Sequence, residues 1–325
     1  MDPTIAVETF KLGKSYDGVP AIDDLSLQVR SGEVFGLLGP NGAGKSTTLR
    51  ILITTLRPTT GQAIVLGHDV VREADRVRQL IGYVPQDRAI DRFLTGREHL
   101  LLLGALYHLT KAETLRRIDA ILKLVDLEHK ADFPAKTYSG GMKRKLDIAC
   151  GLIPNPRVLF LDEPTLGLDI QSRLRIWEYV RRLREQGITV VMTTNYLDEA
   201  DQLCDRLAII DNGRVKALGS PSELKAGLGG DIVSLTVGNP EPACLEALAA
   251  ALRGQASVRA IHTTPAGLDI RVESSEKALP AILETANRLT CRLDFIQYNR
   301  PRLDDVFMAY TGHAIRGAVP QQEQE

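Results

Sequence analysis

Three things are scarce in this sequence: cysteine, net charge and long apolar runs. Its 325 residues include four cysteines, Cys150, Cys204, Cys244 and Cys291, too widely spaced for a CxxC redox or zinc pattern. They sit inside apolar periodic segments, so reduced core thiols of a cytoplasmic protein are expected. Lys and Arg number 40 against 41 Asp and Glu, a net charge of −1, so no overall field draws the chain to nucleic acid or an anionic membrane. That balance disfavours a dedicated DNA-binding protein. The longest apolar stretch, LLLGALYHL at 101–109, falls far short of the roughly 20 residues a membrane-spanning helix needs. The first residues, MDPTIAVETF, carry neither the basic region nor the apolar core of a signal peptide. A role at a membrane therefore requires another chain to do the crossing.

What is present is ordinary globular composition, 44% hydrophobic and 25% charged, at a length suited to about two domains. Short β-rich runs at 5–12, 22–29 and 33–39 predict an antiparallel entry sheet. Strand-like runs at 63–67, 81–85, 158–162, 188–194 and 207–211 then alternate with helical stretches, which predicts a parallel sheet covered on both faces. Between 93 and 153 no strand-like run occurs. That span reads as helices 96–109, 111–125 and 139–152, an inserted helical lobe. The Gly-, Ser- and Pro-containing segment 219–231 reads as a linker, and after it the order β-α-β-β-α-β is that of the ferredoxin-like split βαβ. A last helix, RPRLDDVFMAYTG, precedes a tail at 313–325 for which disorder is expected.

The strongest chemical signal is GPNGAGKST, residues Gly39, Pro40, Asn41, Gly42, Ala43, Gly44, Lys45, Ser46 and Thr47. It matches the phosphate-binding P-loop, follows an apolar strand and precedes a helix-forming stretch. Small residues let backbone N–H groups turn onto phosphates, Lys45 supplies a point charge to the outer ones, and Ser46 offers its hydroxyl to Mg²⁺. A carboxylate for the metal is available where VLFLDEP ends its strand: Asp162 is the candidate metal ligand and Glu163 the candidate base for the attacking water. A second anion-suited turn, Ser139-Gly140-Gly141, starts another helix. On residues alone it reads equally as a capped helix with Lys143, Arg144 and Lys145 as its solvated face.

P-loop, IGYVPQ, SGG before a helix, LDEP and GLD in this order resemble the ATP-binding subunit of an ABC transporter over residues 5–226. YSGGMKRKLDIA, TTNYLDEAD and LDDVFMAYTG resemble more narrowly the daunorubicin-resistance type of multidrug exporter ATPase. The resemblance implies an α/β P-loop NTPase core over 1–226, with an antiparallel β subdomain and a helical subdomain at 93–153. A C-terminal α+β domain of ferredoxin-like type, accessory or regulatory, then covers 231–312. It implies that Tyr16 stacks on adenine, that Gln86 reaches Mg²⁺ or the attacking water, and that Asp169 lies at a subunit junction. It also implies that Ser139, Gly140 and Gly141 serve the ATP of a partner copy, in a homodimer with two shared ATP sites. One position departs from the family pattern: a histidine usually follows the strand ITVVMTT, and here the residue is Asn195, which donates a hydrogen bond but cannot become cationic.

The function implied is an ATPase with cofactors ATP and Mg²⁺, driving export of a drug, antibiotic or lipid-like cargo through a separate integral membrane permease. Its place is peripheral, at the cytoplasmic face of the cell membrane, with no nucleic-acid partner. The alternative is a soluble ABC-type ATPase of translation or DNA maintenance. Such proteins usually carry two P-loops or a long coiled-coil insertion, and neither is present here.

Overall fold

The computed structural model describes residues 4–87, 90–237, 242–264, 267–299 and 301–313. The tail expected to be disordered lies outside them beyond His313. The chain divides into two units with the boundary between Ser220 and Pro221, slightly ahead of the expected end at 226.

In the first unit, β1 (Ile5–Tyr16) and β2 (Val19–Arg30) form a hairpin. Its Asp17-Gly18 turn has φ of 48° and 83°, the double positive φ that Asp-Gly tolerates and tight hairpins require. Then come β3 (Val34–Leu38), α1 (Lys45–Leu52), β4 (Thr60–Val65), β5 (His68–Asp69), α2 (Ala74–Leu80) and β6 (Ile81–Val84). The helical lobe follows as α3 (Gly96–Leu106), α4 (Lys111–Leu124) and α5 (Gly140–Leu152). Thr95 and Glu98 start α3 with a reciprocal capping box, and Ser139 caps α5 by accepting from the Met142 N–H at 3.3 Å. The unit closes with β7 (Val158–Asp162), α6 (Ile170–Glu185), β8 (Thr189–Thr194), α7 (Leu197–Leu203), β9 (Arg206–Asp211) and β10 (Arg214–Gly219).

Two sheets result, one of order β2-β1-β4-β5, all antiparallel, and one of order β10-β9-β3-β8-β7-β6. In the second, β9, β3, β8, β7 and β6 run parallel and β10 closes the edge antiparallel. Two strands therefore exchange places relative to expectation. The run at 33–39 belongs to the parallel sheet, where all five residues of β3 are buried between β8 and β9. Burial of each larger apolar side chain there contributes roughly 1.5–3 kcal/mol. The run at 63–67 instead enters the antiparallel sheet as β4, paired with β1 and buried on alternate residues. Chain order misled here, since a strand's neighbours are set by which of its faces are apolar.

The second unit comprises α8 (Pro221–Gly227), β11 (Asp231–Val237), α9 (Pro242–Arg253), β12 (Val258–Thr264), β13 (Gly267–Val272), α10 (Ser275–Arg288), β14 (Leu293–Asn299) and α11 (Leu303–Thr311). Its antiparallel sheet has the order β12-β13-β11-β14, the arrangement that a split βαβ pair produces. Val233, Leu235, Leu268 and Ile270 of the sheet pack with Leu248, Leu252, Ala278 and Ile282 of α9 and α10. Helices α8 and α11 pack together within this unit, which is why the boundary falls before α8. The expectation of four reduced thiols is corrected: Cys244 and Cys291 are joined in a disulfide, with Cα atoms 6.2 Å apart, while Cys150 and Cys204 are free. Folding of α9 against the end of α10 brings together two cysteines 47 positions apart, a proximity that sequence spacing does not reveal. Among the described residues no helix is long and apolar enough to cross a membrane.

Candidate functional site

The loop between β3 and α1 uses glycine where nothing larger fits. A Cβ on Gly39 would lie 2.2 Å from the Ile210 carbonyl oxygen; one on Gly44, at φ 102°, would lie 2.5 Å from that of Ala21. The loop is thus pressed between the β2 entry and the end of β9, and the Gly213 N–H in the β9–β10 turn donates to Ala43 O at 3.1 Å. No side chain caps α1 at Gly44, so its first amides face the loop's concave side, where the helix dipole favours an anion.

Lys45 opens α1 and is only 4% exposed. Its Nζ donates to the carbonyls of Gly39 at 2.6 Å and Pro40 at 3.1 Å, and lies 3.6 Å from Glu163 Oε1. Burial pulls its pKa below the ordinary lysine value, and the charges of Glu163 and Asp162 oppose that pull. The Ser46 hydroxyl donates to Asp162 Oδ1 at 3.0 Å, and Thr193 Oγ1 donates to the same oxygen at 2.6 Å. Thr193 in turn accepts from the Glu163 N–H at 2.9 Å. Parallel pairing of β7 with β8 sets Asp162 beside Thr193 and makes this relay possible.

Consecutive strand residues point to opposite faces. Glu163 escapes that rule because its φ is +44°, a backbone conformation that costs about 1–3 kcal/mol. The bend directly after β7 turns Glu163 into the cleft while Asp162 stays bonded to Ser46. That cleft has a volume of about 460 Å³ and is lined by Ala21, residues 40–47, Gln86, Glu163, Leu166 and Asn195.

Against known proteins, the ABC transporter family model matches residues 22–166. The daunorubicin/doxorubicin resistance ATP-binding protein DrrA of Streptomyces peucetius is 44% identical, over 96% of this chain and 94% of its own length. The chain belongs to the ABC transporter family. As an ATP-binding subunit of that family it binds and hydrolyses ATP. A second relative, the Nod factor export ATP-binding protein I of Sinorhizobium fredii, is 39% identical over 96% of this subunit and 88% of its own length. Among solved structures, the dimeric post-hydrolysis state of an ATP-binding cassette bound to ADP and Pi superposes with a TM-score of 0.59. It is 28% identical and covers 66% of this chain and 98% of that one.

Not every expected site residue of this ABC subunit meets in the cleft. Tyr16 is outside its lining, 45% exposed, with Lys14 Nζ 5.2 Å from its ring centroid. Ser139, Gly140, Gly141 and Asp169 are outside it too, but the structure gathers them on one other surface. Asp169 caps α6, accepting from the N–H and hydroxyl of Ser172 at 2.9 and 2.7 Å, and a Cβ on Gly141 would lie 2.6 Å from that Ser172 Oγ. The hydrogen bonds from the Ser172 backbone and side chain hold the Asp169 carboxyl below the ordinary aspartate value. Asn195 does line the cleft, and its Oδ1 is buried with no hydrogen-bond partner among the described residues.

Four further residues were not singled out as site residues from sequence. Thr193 joins Asp162 to Glu163; its one visible signal is a Thr-Thr pair ending the apolar run Val190–Met192 of a fully buried strand. Glu199 is fully buried in α7, where its Oε1 accepts from Thr165 Oγ1 at 2.8 Å and Trp177 Nε1 at 3.0 Å. Burial raises its pKa above the ordinary glutamate value. Arg144 and Lys145 are buried, which corrects their reading as a solvated face. Lys145 Nζ donates to Asp126 Oδ2 at 3.2 Å and sits 5.2 Å from the Tyr179 ring centroid.

Proposed function

We propose that this chain is the ATP-hydrolysing motor of an exporter, working as a pair of copies on a separate membrane permease. The observation that carries this reading is the convergence of Lys45, Ser46, Asp162, Glu163 and Asn195 on one cleft beside a P-loop. Lys45 takes the outer phosphates of ATP. Ser46 and Asp162 offer the hard oxygen donors that suit Mg²⁺, with Gln86 exposed at the cleft as a further oxygen. Phosphate and water oxygens would complete the ion's shell, the usual company of Mg²⁺. When bound, Mg²⁺ neutralises charge shared by the β- and γ-phosphates. Glu163 accepts the proton of a water whose oxygen bonds to the γ-phosphorus as the bridge to ADP breaks. Asn195 positions that water or the γ-phosphate.

Support for a pair of copies comes from the second surface. Ser139 and Gly140 are exposed, and beside them Ile170 and Leu174, one turn apart on α6, are 74% and 48% exposed, an apolar strip that a second copy would cover. In this reading Ser139–Gly141 of each chain closes on the γ-phosphate in its partner's cleft, and Asp169 lies at the junction. In this reading Tyr16, exposed and outside the cleft's own lining, stacks on adenine. The helical lobe exposes Phe93, Leu102, Leu106 and Phe133, a surface suited to cytoplasmic helices of a permease. The relatives' names, resistance to daunorubicin and doxorubicin and export of Nod factor, support an outward-moving drug, antibiotic or lipid-like cargo and a peripheral position at the cytoplasmic face. The second unit, which begins at Pro221 and takes in the expected domain 231–312, serves as a dimer-supporting or regulatory domain. Co-purification of the tagged full chain from its native host tests the reading. A multi-span partner that stimulates Mg-ATP hydrolysis is expected; recovery with ribosomes or DNA instead would overturn it.

A further inference from the structure

Arg144 lies on α5, five residues past Ser139, and is 4% exposed. Its donors go to main-chain carbonyls of two separate segments. Nε donates to Pro164 O at 2.8 Å, Nη1 to Pro85 O at 2.7 Å, and Nη2 to Asp162 O at 3.0 Å and Glu163 O at 3.2 Å. Asp147, one turn along the same helix, balances the charge at 3.8 Å. One planar fork therefore holds the carbonyls at, before and after Glu163 together with the carbonyl immediately preceding Gln86.

This geometry has a mechanical consequence. The Glu163 backbone is bent at positive φ and is held on its N–H side by Thr193. Its carbonyl accepts from the Leu166 N–H of the following turn at 3.2 Å and from Arg144 at 3.2 Å, and the Arg144 contact comes from a different lobe. A guanidinium fixes the separation and direction of several acceptors at once; a lysine ammonium, with three rotatable donors on a flexible stem, does not. Because α5 is a rigid rod, a displacement of its capped end at Ser139 is a displacement of Arg144, and hence of Glu163 and Gln86.

We infer that Arg144 is a positioning residue that makes the geometry of Glu163 and Gln86 in one cleft depend on what Ser139–Gly141 of the same chain engages. The inference rests on the two-copy reading of the ATP sites. Under it, a nucleotide held against Ser139 by the partner sets the base and the glutamine in this chain's own cleft, so each site's turnover is conditional on occupancy of the other.

The test compares Arg144→Lys, Arg144→Gln and, as a control, Lys143→Ala in the full chain with its permease. Steady-state Mg-ATP hydrolysis, equilibrium ATP binding, melting temperature and the Hill coefficient for ATP are measured. A base moved by about an ångström costs on the order of a hundredfold. The expected result for Arg144→Lys is a fall in kcat of about ten- to a hundredfold and a Hill coefficient near 1, with folding retained and ATP affinity altered by less than about threefold. Arg144→Gln should behave similarly and Lys143→Ala like the wild type. The inference is overturned if Arg144→Lys keeps the wild-type kcat and Hill coefficient. It is overturned equally if Arg144→Lys loses binding and hydrolysis in step with its melting temperature, or cannot fold, since Arg144 is then a core residue only. Light scattering of Glu163→Gln with Mg-ATP, run alongside, separates the two levels. If that variant dimerises while Arg144→Lys stays cooperative, only this inference fails; if it does not dimerise, the two-copy reading has failed.

Discussion

Ser46 and Asp162, 116 positions apart in sequence, share a hydrogen bond of 3.0 Å, and the same carboxylate oxygen receives the Thr193 hydroxyl at 2.6 Å. Two hydroxyls thus orient one carboxylate, and the second also anchors the Glu163 N–H. Removing Thr193's hydroxyl without changing its shape leaves Asp162 short of one donor and the Glu163 amide without its acceptor. Thr193→Val is expected to lower Mg²⁺-dependent turnover by about 10- to 100-fold, the usual effect of losing a group that orients a metal ligand. A Mg²⁺ titration of hydrolysis checks it, with nucleotide binding in EDTA unchanged. An unaltered Mg²⁺ midpoint and kcat would mean the relay is incidental.

Asn195 has a buried Oδ1 that nothing among the described residues satisfies, the kind of group that structures keep for a ligand or water. Asn195→Ala is expected to reduce kcat by about tenfold or more while leaving ATP affinity within about threefold, the pattern of an interaction made mainly in the transition state. Because a carboxamide does not titrate, Asn195→His should add an inflection near pH 6.5 to the rate profile that the wild type lacks. An alanine variant with normal turnover removes Asn195 from the site.

Glu199 carries a pH signature of opposite sign to most carboxylates. Burial raises its folded-state pKa above the ordinary value of 4.5, so the native state holds this proton more tightly than the unfolded chain does. Its contribution to stability is complete below pH 4.5 and is lost as pH rises through the folded pKa. Glu199→Gln keeps an oxygen for Thr165 and Trp177 and cannot ionise. Its melting temperature relative to the wild type should therefore climb between pH 5 and pH 8. A difference independent of pH over that range would show that Glu199 ionises as freely folded as unfolded.

Much of this was legible in the residues. The P-loop, the Asp162-Glu163 pair and the strand before Asn195 announced themselves because each needs particular residue types at adjacent positions, and local backbone geometry follows from local sequence. The exchange of β3 and β4 was hidden, because an apolar pentapeptide does not say which sheet will cover its two faces. Arg144 was misread for a related reason. A basic run after a helix cap normally faces water, and only the tertiary approach of Pro85 and the 162–164 segment supplies the acceptors that let a guanidinium be buried. Glu199, in an acidic-looking DEAD run, likewise depends on donors from α6 and from the segment after Glu163. The disulfide required the folding of α9 onto the end of α10.

The central claim is that nucleotide is held between two copies of this chain. Light scattering of the Glu163→Gln variant tests it most directly: with the base removed, hydrolysis should fall by at least about a hundredfold and saturating Mg-ATP should convert monomers to a stable dimer that EDTA dissolves. A variant that binds Mg-ATP yet stays monomeric, even with its permease present, would contradict the account.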